Sequence, residues 1–281
     1  MTLKIGMIGT GSFAKLHAQL LAGMEDVEIG AVCGTTQAKA DEMARSFNGA
    51  KAYDSARNML DDVKLDAAYI CVPPFAHGEI EEALAERGVP FFVEKPLAAD
   101  LDTATRILHL VTEKRLLTSV GYHFRYMDGT AKALELLAGR TAGMALGYWM
   151  GGMPGVHWWR KRNGSGGQFI EQTTHIVDLL RYLLGDAEEV YAAYALRHMD
   201  KQAEGVEVPD VGTVTLKLGN GAVATISNTC MLPVSHRMGL EIFTDEGVLE
   251  LNAGGLKQIA PGRTAEYFNP SNRMDHYEKE T

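Results

Sequence analysis

The sequence predicts an α/β protein with two domains. The first, residues 1–123, is predicted to be a doubly wound parallel sheet, because apolar strand-like runs alternate with helical patterns. The second, residues 124–281, is predicted to be an α+β domain on a mostly antiparallel, open sheet, because hairpin turns separate its strand-like runs. A glycine-rich turn after the first apolar run links this architecture to a ligand.

That turn lies between an apolar run at residues 3–8 and a helical pattern marked by Leu16, Leu20 and Leu21. It has the form G-x-G-x-x-A, in which Gly9 makes the turn and Gly11 lets a pyrophosphate approach the backbone. The N-terminus of the helix then offers N–H groups and partial positive charge to phosphates. The turn therefore predicts a Rossmann dinucleotide-binding domain, with the cofactor-binding residues Gly9, Gly11, Ser12 and Phe13.

The rest of the first domain alternates in the same way. Strands are predicted at 27–33, 65–72, 89–93 and 117–122, and helices at 37–47, 79–87 and 100–115, with short pieces near 50–53 and 56–60. Asp100 is a suitable N-cap for the last of these helices. Such alternation predicts a parallel sheet with helices on both faces, wound right-handed.

The pattern changes after about residue 123. A helix is predicted at 129–137, a strand at 144–150, a loop rich in glycine and tryptophan at 151–167, a helix at 168–184, and strands at 190–196, 211–218, 222–230, 238–244 and 248–251. One helix covers only one face of such a sheet. We expect the other face to be covered by a second copy, which predicts a homo-oligomer, a dimer or tetramer.

Composition excludes several classes of function. The chain has 281 residues, a net charge of −9 and no basic block, so neither nucleic acid nor a membrane is an expected partner. No signal-peptide pattern and no apolar run of about 18 residues is present, which predicts a cytoplasmic protein. Cys33, Cys71 and Cys230 are far apart in apolar stretches, so we expect reduced core cysteines and no metal site.

The residues after the second strand bear on the choice of cofactor. An acidic residue at this position would bind the ribose 2′-hydroxyl of NAD, but here Cys33 is followed by Gly34, Thr35 and Thr36, with Lys39 nearby. The threonines can donate hydrogen bonds to a 2′-phosphate and Lys39 can supply charge. NADP(H) is therefore expected over NAD(H). Alternatively the threonines cap the next helix, and they can do both.

Two groups of residues have side chains suited to catalysis or ligand binding. Glu94, Lys95 and Pro96 follow a predicted parallel strand, at the sheet edge where ligands bind in doubly wound folds. In the second domain, Glu171 and His175 are four residues apart on one predicted helix, so the carboxylate can orient the ring of a general base. The alternative for Glu171 and His175 is a surface pair. Asp178, one turn further, is expected to be structural.

Taken in order, the glycine turn, the Pro73-Pro74…His77 stretch, Glu94-Lys95-Pro96 and the Gly166-Gly167…Glu171…His175 segment resemble the Gfo/Idh/MocA oxidoreductase family, over nearly the whole chain. The resemblance implies hydride transfer between a nicotinamide and a hydroxyl-bearing carbon of a sugar, cyclitol or related polyol. It implies that Lys95 polarises the substrate oxygen and that His175 exchanges its proton. Glu171, where the family usually has aspartate, would assist His175.

The resemblance also places cofactor and substrate contacts. Pro74 and His77 would border the adenosine, and Glu94 and Lys95 would lie at the cofactor. Trp158 and Trp159 can stack on a sugar ring, although one of them is equally expected to close the core. His123 is a further substrate candidate, and Arg125 is expected to be a structural link between the two domains.

Two alternatives to a polyol dehydrogenase stay open. A nucleotide-binding sensor or scaffold would have the same fold without turnover. An enzyme of the same fold would reduce a non-sugar such as a tetrapyrrole or an imine.

Overall fold

A computed structural model describes residues 2–268 and 273–281. The chain divides into two compact units, Met1–Gly121 together with Thr281, and Tyr122–Glu280. The first contains a six-stranded parallel sheet and the second an eight-stranded, mostly antiparallel sheet, which confirms the predicted fold class. Within the described residues, no helix combines the length and apolar character needed to cross a membrane.

The sheet of the first unit has the strand order β3-β2-β1-β4-β5-β6, and all its pairs are parallel. Its strands are β1 (Leu3–Ile8), β2 (Val27–Cys33), β3 (Lys51–Tyr53), β4 (Ala67–Ile70), β5 (Phe91–Glu94) and β6 (Thr118–Gly121). Its helices are α1 (Ser12–Ala22), α2 (Gln37–Ala44), α3 (Ala56–Asp62), α4 (Glu79–Glu86) and α5 (Leu101–Glu113), with a 3-10 turn at Pro74–Ala76.

Two apolar layers, one on each face, hold this sheet. Successive residues of a strand point to opposite faces, and Met7 and Ile8 accordingly belong to different layers. Helices α1 and α2 cover one face, and α3, α4 and α5 cover the other. Because the strands are parallel, the turns after β1, β2, β4 and β5 all lie at one edge, where the predicted cofactor residues stand.

The second unit has the strand order β14-β13-β12-β11-β7-β10-β9-β8, in which only the β7–β10 pair is parallel. Its strands are β7 (Ala142–Met150), β8 (Ala187–Ala195), β9 (Val211–Leu218), β10 (Val223–Thr229), β11 (Arg237–Thr244), β12 (Gly247–Asn252), β13 (Gly255–Ala260) and β14 (Arg263–Phe268). Its helices are α6 (Asp128–Leu137), α7 (Arg162–Ser165), α8 (Gln168–Glu171), α9 (Thr174–Leu184), α10 (Met199–Gln202) and α11 (Arg273–Glu280), with 3-10 turns at His123–Tyr126 and His157–Arg160.

Helices α6 and α9 pack on one face of this sheet. Ile176, Leu179 and Leu180 of α9 lie against buried strand residues such as Ile226 and Leu240. Val214 and Leu216 of β9 face the same way. The helices thus fill one side of the sheet, as the sequence predicts.

The structure differs from the expected elements at residues 168–184 and after residue 251, and it adds the short helices α7 and α10. The single helix predicted at 168–184 is two helices, α8 and α9, and the backbone N–H of His175 donates to the Gln172 carbonyl at 3.3 Å. The β-branched Thr173 and Thr174 at the break weaken helical propensity. Strands β13 and β14 and helix α11 were not predicted, and β14 has no buried residue, so it lacks the apolar alternation that marks a strand.

Candidate functional site

The turn after β1 has the geometry of a phosphate-binding turn. Gly9 has φ +114°, and a Cβ there would lie 2.1 Å from the carbonyl oxygen of Cys71. A Cβ on Gly11 would meet no atom within 4 Å, so Gly11 borders open space. Helix α1 starts directly after it, and its N-cap residue Gly11 forms no side-chain cap hydrogen bond. The N-terminus of a helix favours negatively charged groups such as phosphates. Ala14 is fully buried. These features fit the pyrophosphate of a dinucleotide.

The turn after β2 carries an exposed polar cluster. The Thr36 hydroxyl caps α2 by accepting from the backbone N–H of Lys39 at 3.4 Å. The Lys39 ammonium donates to the Thr35 hydroxyl at 3.4 Å. Capping is therefore one role of Thr36, and the Lys39 ammonium lies beside it, hydrogen-bonded to the neutral Thr35 hydroxyl.

Asp54, directly after β3, adds a charge to this region that sequence reasoning missed. Burial and, secondarily, the Asp54 carboxylate raise the pKa of the Cys33 thiol to about 11. Asp54 thus acts on the last residue of β2 from the neighbouring strand. The sequence does indicate this position, because an aspartate follows a predicted short strand, and parallel strands end at the same edge of a sheet.

A buried pair lies beyond β4. The His77 Nδ1 atom is 2.6 Å from the Glu81 Oε1 atom, and Glu81 Oε2 accepts from the backbone N–H of Gly78 at 2.7 Å. Both side chains are fully buried, and His77 Nε2 has no hydrogen-bond partner among the residues that the structure describes. The pair fixes the ring of His77 just after Pro74. Glu81 was not predicted as a site residue from the sequence, although its i,i+4 spacing from His77 is typical of a side-chain pair on a helix.

Glu94 and Lys95 stand at the end of β5, at the same sheet edge. The Glu94 carboxylate is buried, and its Oε2 atom accepts from the backbone N–H of Lys95 at 3.0 Å. The Lys95–Pro96 peptide bond is cis. The motif therefore ends the strand with a buried acceptor that binds the backbone of the lysine beside it.

In the second unit, His175 lies in an aromatic cluster. Its ring stacks on Phe124 at 4.8 Å between centroids and lies nearly parallel to Trp149 at 5.9 Å. The rings of His123 at 4.8 Å and Tyr122 at 6.0 Å approach it edgewise. His175 is buried. The structure thus brings together His123 and His175, two predicted substrate residues.

An ion pair anchors this cluster. Arg125 donates to both carboxylate oxygens of Asp178, at 2.8 and 2.6 Å, and its guanidinium lies over the Tyr182 ring. The hydrogen bond to Asp178 is the main cause of a raised pKa of Arg125. The Tyr122 and Thr174 hydroxyls are 3.0 Å apart, and burial raises the pKa of Tyr122. The segment that follows β6 is therefore tied to α9. This agrees with a structural role for Asp178, whereas Arg125 pairs within its own unit and not across the two domains as expected.

Glu171 has a partner that the sequence did not indicate. Its Oε2 atom accepts from the Trp159 indole N–H at 2.8 Å. Trp159 is only 1% exposed and packs with Val208 and Cys230. Of the two roles expected for the tryptophans, burial favours the core role for Trp159, whereas Trp158 is half-buried beside it. The i,i+4 relation that paired Glu171 with His175 is interrupted by the helix break.

The predicted cofactor residues share one edge of the first sheet: Gly9, Gly11, Ser12 and Phe13 after β1, Thr35, Thr36 and Lys39 after β2, Pro74 and His77 after β4, and Glu94 and Lys95 at β5. Lys95 belongs to the first unit and His175 to the second. Their convergence on one substrate stays a prediction.

Comparison with known protein families shows which class of protein this chain belongs to. Residues 3–122 match a family model described as an oxidoreductase family with an NAD-binding Rossmann fold, which defines the class as NAD-binding oxidoreductases. Residues 140–250 match the GFO/IDH/MocA C-terminal domain. The chain belongs to the GFO/IDH/MocA oxidoreductase family, and the resemblance stated from its motifs is confirmed.

The proteins that this chain resembles in sequence or in fold carry different ligands in their names. The chain is 25% identical over 250 residues to myo-inositol 2-dehydrogenase of Thermotoga maritima, covering 87% of this chain and 74% of that relative. The fold matches levoglucosan dehydrogenase in complex with NADH with a TM-score of 0.89 at 22% identity, over 100% of this chain and 88% of the other. It also matches biliverdin reductase from Synechocystis, in complex with biliverdin and NADP+, with a TM-score of 0.82 at 20% identity, over 99% and 87%. At these identities the structural matches establish the fold alone.

Proposed function

We propose that this chain is an NAD(P)-dependent dehydrogenase that transfers a hydride between the nicotinamide and a hydroxyl-bearing carbon of a sugar, cyclitol or related polyol. The observation that carries the proposal is the position of Lys95, directly after β5 at the sheet edge that also holds the glycine turn. Ligands of doubly wound sheets bind at this edge. Relatives named for inositol and levoglucosan support the substrate class.

The chain's own residues have distinct tasks in this reaction. The bound nicotinamide supplies the hydride acceptor in oxidation and the donor in reduction. Lys95 stabilises negative charge on the substrate oxygen, and His175 takes the hydroxyl proton in oxidation and returns it in reduction. Both are expected within about 2.6–3.2 Å of that oxygen. Glu171 is proposed to assist His175 while it also accepts from Trp159.

Residues 1–123 are proposed to bind the dinucleotide, and residues 124–281 are proposed to form the oligomer and to bind the substrate. His123 and the half-buried Trp158 are proposed to contact it. Trp159 stays in the proposal only through its hydrogen bond to Glu171. We further propose that the protein is a cytoplasmic homo-oligomer.

His175→Ala tests the chemistry. We expect kcat for polyol oxidation to fall about 10³-fold, because a general base contributes 10²–10⁴-fold. The dissociation constant of the reduced cofactor, measured by its fluorescence, should change less than about threefold, since His175 is not in the dinucleotide-binding unit. His109→Ala, an exposed histidine of α5, is the matched control.

The same assay separates the alternatives. A sensor or scaffold would bind the cofactor and show no turnover across sugars, cyclitols and their acids. A tetrapyrrole or imine reductase would turn over those compounds and leave the polyols unchanged. Equal losses of turnover and cofactor affinity in His175→Ala would remove it from proton transfer.

We propose NADP(H) as the preferred cofactor, because the Lys39 ammonium supplies positive charge after β2 and lies beside the Thr35 hydroxyl. Lys39→Ala should weaken NADPH binding about tenfold, the size of one charge-assisted hydrogen bond, and leave NADH within about twofold. Asp54→Asn should tighten NADPH, because it removes a carboxylate that opposes a 2′-phosphate. Titration calorimetry with both cofactors measures these effects. A wild-type protein that binds NADH more tightly than NADPH contradicts the preference.

A further inference from the structure

A buried histidine on α1, His17, connects the dinucleotide turn to the lysine motif. His17 is fully buried, and its Nε2 atom lies 3.0 Å from Glu94 Oε1. The other oxygen of the same carboxylate accepts from the backbone N–H of Lys95 at 3.0 Å. We propose that His17 is a positioning residue, which holds the Glu94 carboxylate and through it the backbone of Lys95. The inference rests on the proposed role of Lys95.

The ring of His17 is fixed on several sides. It packs against Phe92, with centroids 4.9 Å apart, and against Tyr69 at 5.8 Å, and these two rings stack on each other at 4.8 Å. The His17 Nδ1 atom is 2.8 Å from the Thr281 hydroxyl, which belongs to the same unit. With Nε2 as the donor, the Glu94 carboxylate has a partner in the ring, and Nδ1 can accept from the Thr281 hydroxyl.

The Glu94 carboxylate is also confined by the neighbouring strand. Glu94 pairs with Gly121 of β6, and a Cβ on Gly121 would lie 3.2 Å from the Glu94 carboxyl carbon and from its Oε2 atom. The absence of a side chain at this position makes room for the carboxylate. Glu94 is therefore held by a ring on one side, a backbone donor on the second and a glycine on the third.

Loss of His17 would remove a charge-assisted donor from a buried carboxylate. Such a group must find a new donor or take up a proton, since an unpartnered buried charge is costly. Either change alters the acceptor that holds the Lys95 backbone. A misplacement of about 1 Å in a catalytic group can cost about 10²-fold in rate. Because α1 begins at the glycine turn, one helix sets both the phosphate contact and the position of Lys95.

Kinetics of His17 variants test the proposal. We expect His17→Ala to lower kcat about 30-fold, with the KM for the polyol and the cofactor dissociation constant within about threefold. His17→Gln can place its amide nitrogen near the position of Nε2 and should recover kcat to within about fivefold of wild type. His17→Leu, which keeps the core filled, should behave as His17→Ala does. His109→Ala is the control and should be unchanged.

Non-additivity tests whether His17 acts through Glu94. If it does, the double variant His17→Ala/Glu94→Gln should be no slower than Glu94→Gln alone, within about twofold. Multiplied losses in the double variant would overturn the proposal, because they would mean that His17 acts by another route.

Hydrogen exchange at the Lys95 amide gives a readout that does not need turnover. We expect exchange at this amide, followed by NMR, to accelerate about tenfold in His17→Ala and His17→Leu and to stay near wild type in His17→Gln and His109→Ala. Unchanged exchange in His17→Ala overturns the positioning role. If no polyol is turned over by the wild type, the proposed function fails, and the exchange data still decide the role of His17.

Discussion

Three buried carboxylates, Glu81, Glu94 and Asp210, are each held by backbone donors. Glu81 accepts from the Gly78 N–H and Glu94 from the Lys95 N–H. Asp210 accepts from three consecutive N–H groups, of Arg197, His198 and Met199, at 2.7–2.9 Å. A buried carboxylate needs such donors to stay ionised. Each one therefore fixes the conformation of the backbone that it binds.

Asp210 predicts an acid-dependent loss of stability. Burial works to raise the pKa of its carboxyl, but the backbone donors outweigh burial and the pKa lies below its usual value. The unfolded state therefore takes up the proton first as the pH falls. The stabilisation is complete above the unfolded pKa of about 3.9 and is lost as the pH falls through the folded pKa.

The measurement is urea unfolding of wild type and Asp210→Asn at two pH values. At pH 7 we expect the variant to lose about 2 kcal/mol of unfolding free energy, because the amide has one acceptor oxygen where the carboxylate has two, and the hydrogen bonds that remain lose their charge. At pH 3 the difference should shrink. Asp186→Asn, in an exposed pair with Arg181, is the control and should change by less than about 0.5 kcal/mol. A difference that stays constant with pH contradicts this account.

At the scale of elements, the turn between β1 and α1 contains two glycines for which we expect different roles, Gly9 in folding and Gly11 in cofactor binding. Gly9→Ala places a Cβ 2.1 Å from the Cys71 carbonyl oxygen at φ +114°, so we expect a loss of about 3 kcal/mol or more in unfolding free energy. Gly11→Ala meets no atom within 4 Å and has an ordinary φ of −74°, so stability should stay within about 0.5 kcal/mol.

The binding measurement then distinguishes the turn's role. If a pyrophosphate approaches Gly11, the added methyl group of Gly11→Ala should weaken binding of the reduced cofactor about tenfold or more, although the protein is as stable as wild type. Thermal unfolding and cofactor fluorescence on the same samples give both quantities. Unchanged cofactor affinity in Gly11→Ala would place the pyrophosphate elsewhere.

Helices α8 and α9 show what the spacing of apolar residues does not predict, namely a break within a helical segment. The apolar spacing of residues 168–184 fits one continuous helix, yet the segment breaks between Glu171 and Thr174. One partner of Glu171 is Trp159, twelve residues earlier, and the spacing of apolar residues does not predict a hydrogen bond of that kind. Spacing thus predicted the helix that carries His175 but not the surroundings of Glu171.

For the molecule as a whole, the sequence predicted the features that follow from the order of strands and helices along the chain. Strand and helix alternation determined the first sheet, and parallel strands necessarily bring Gly11 and Lys95 to one edge. It did not predict His17 as the partner of Glu94, because 77 positions separate them and only the folded sheet brings α1 against β5. The position of Asp54 at this sheet edge could be read from the sequence, but its influence on Cys33 depends on the pairing of β2 with β3.

The open face of the second sheet leads to a prediction about assembly. A row of apolar residues crosses five strands in register, on the face opposite to α6 and α9: Val223, Met144, Phe243, Val248 and Ile259. Val223 is 45% exposed and Met144 is 42% exposed. Contiguous apolar surface of this kind is typical of interfaces between subunits. A second copy related by twofold symmetry would bury the row on both chains.

The double variant Met144→Lys/Val223→Lys tests this assembly by sedimentation equilibrium. We expect the wild type to be an oligomer at micromolar concentration and the variant to dissociate at least about tenfold more readily, because each lysine would bring charge into an apolar contact. Leu108→Lys, an exposed leucine of α5 that is 62% accessible, is the matched control and should leave assembly unchanged. A monomeric wild type would mean that this row serves no contact between copies, whereas equal dissociation of the control would mean that added charge alone separates the subunits.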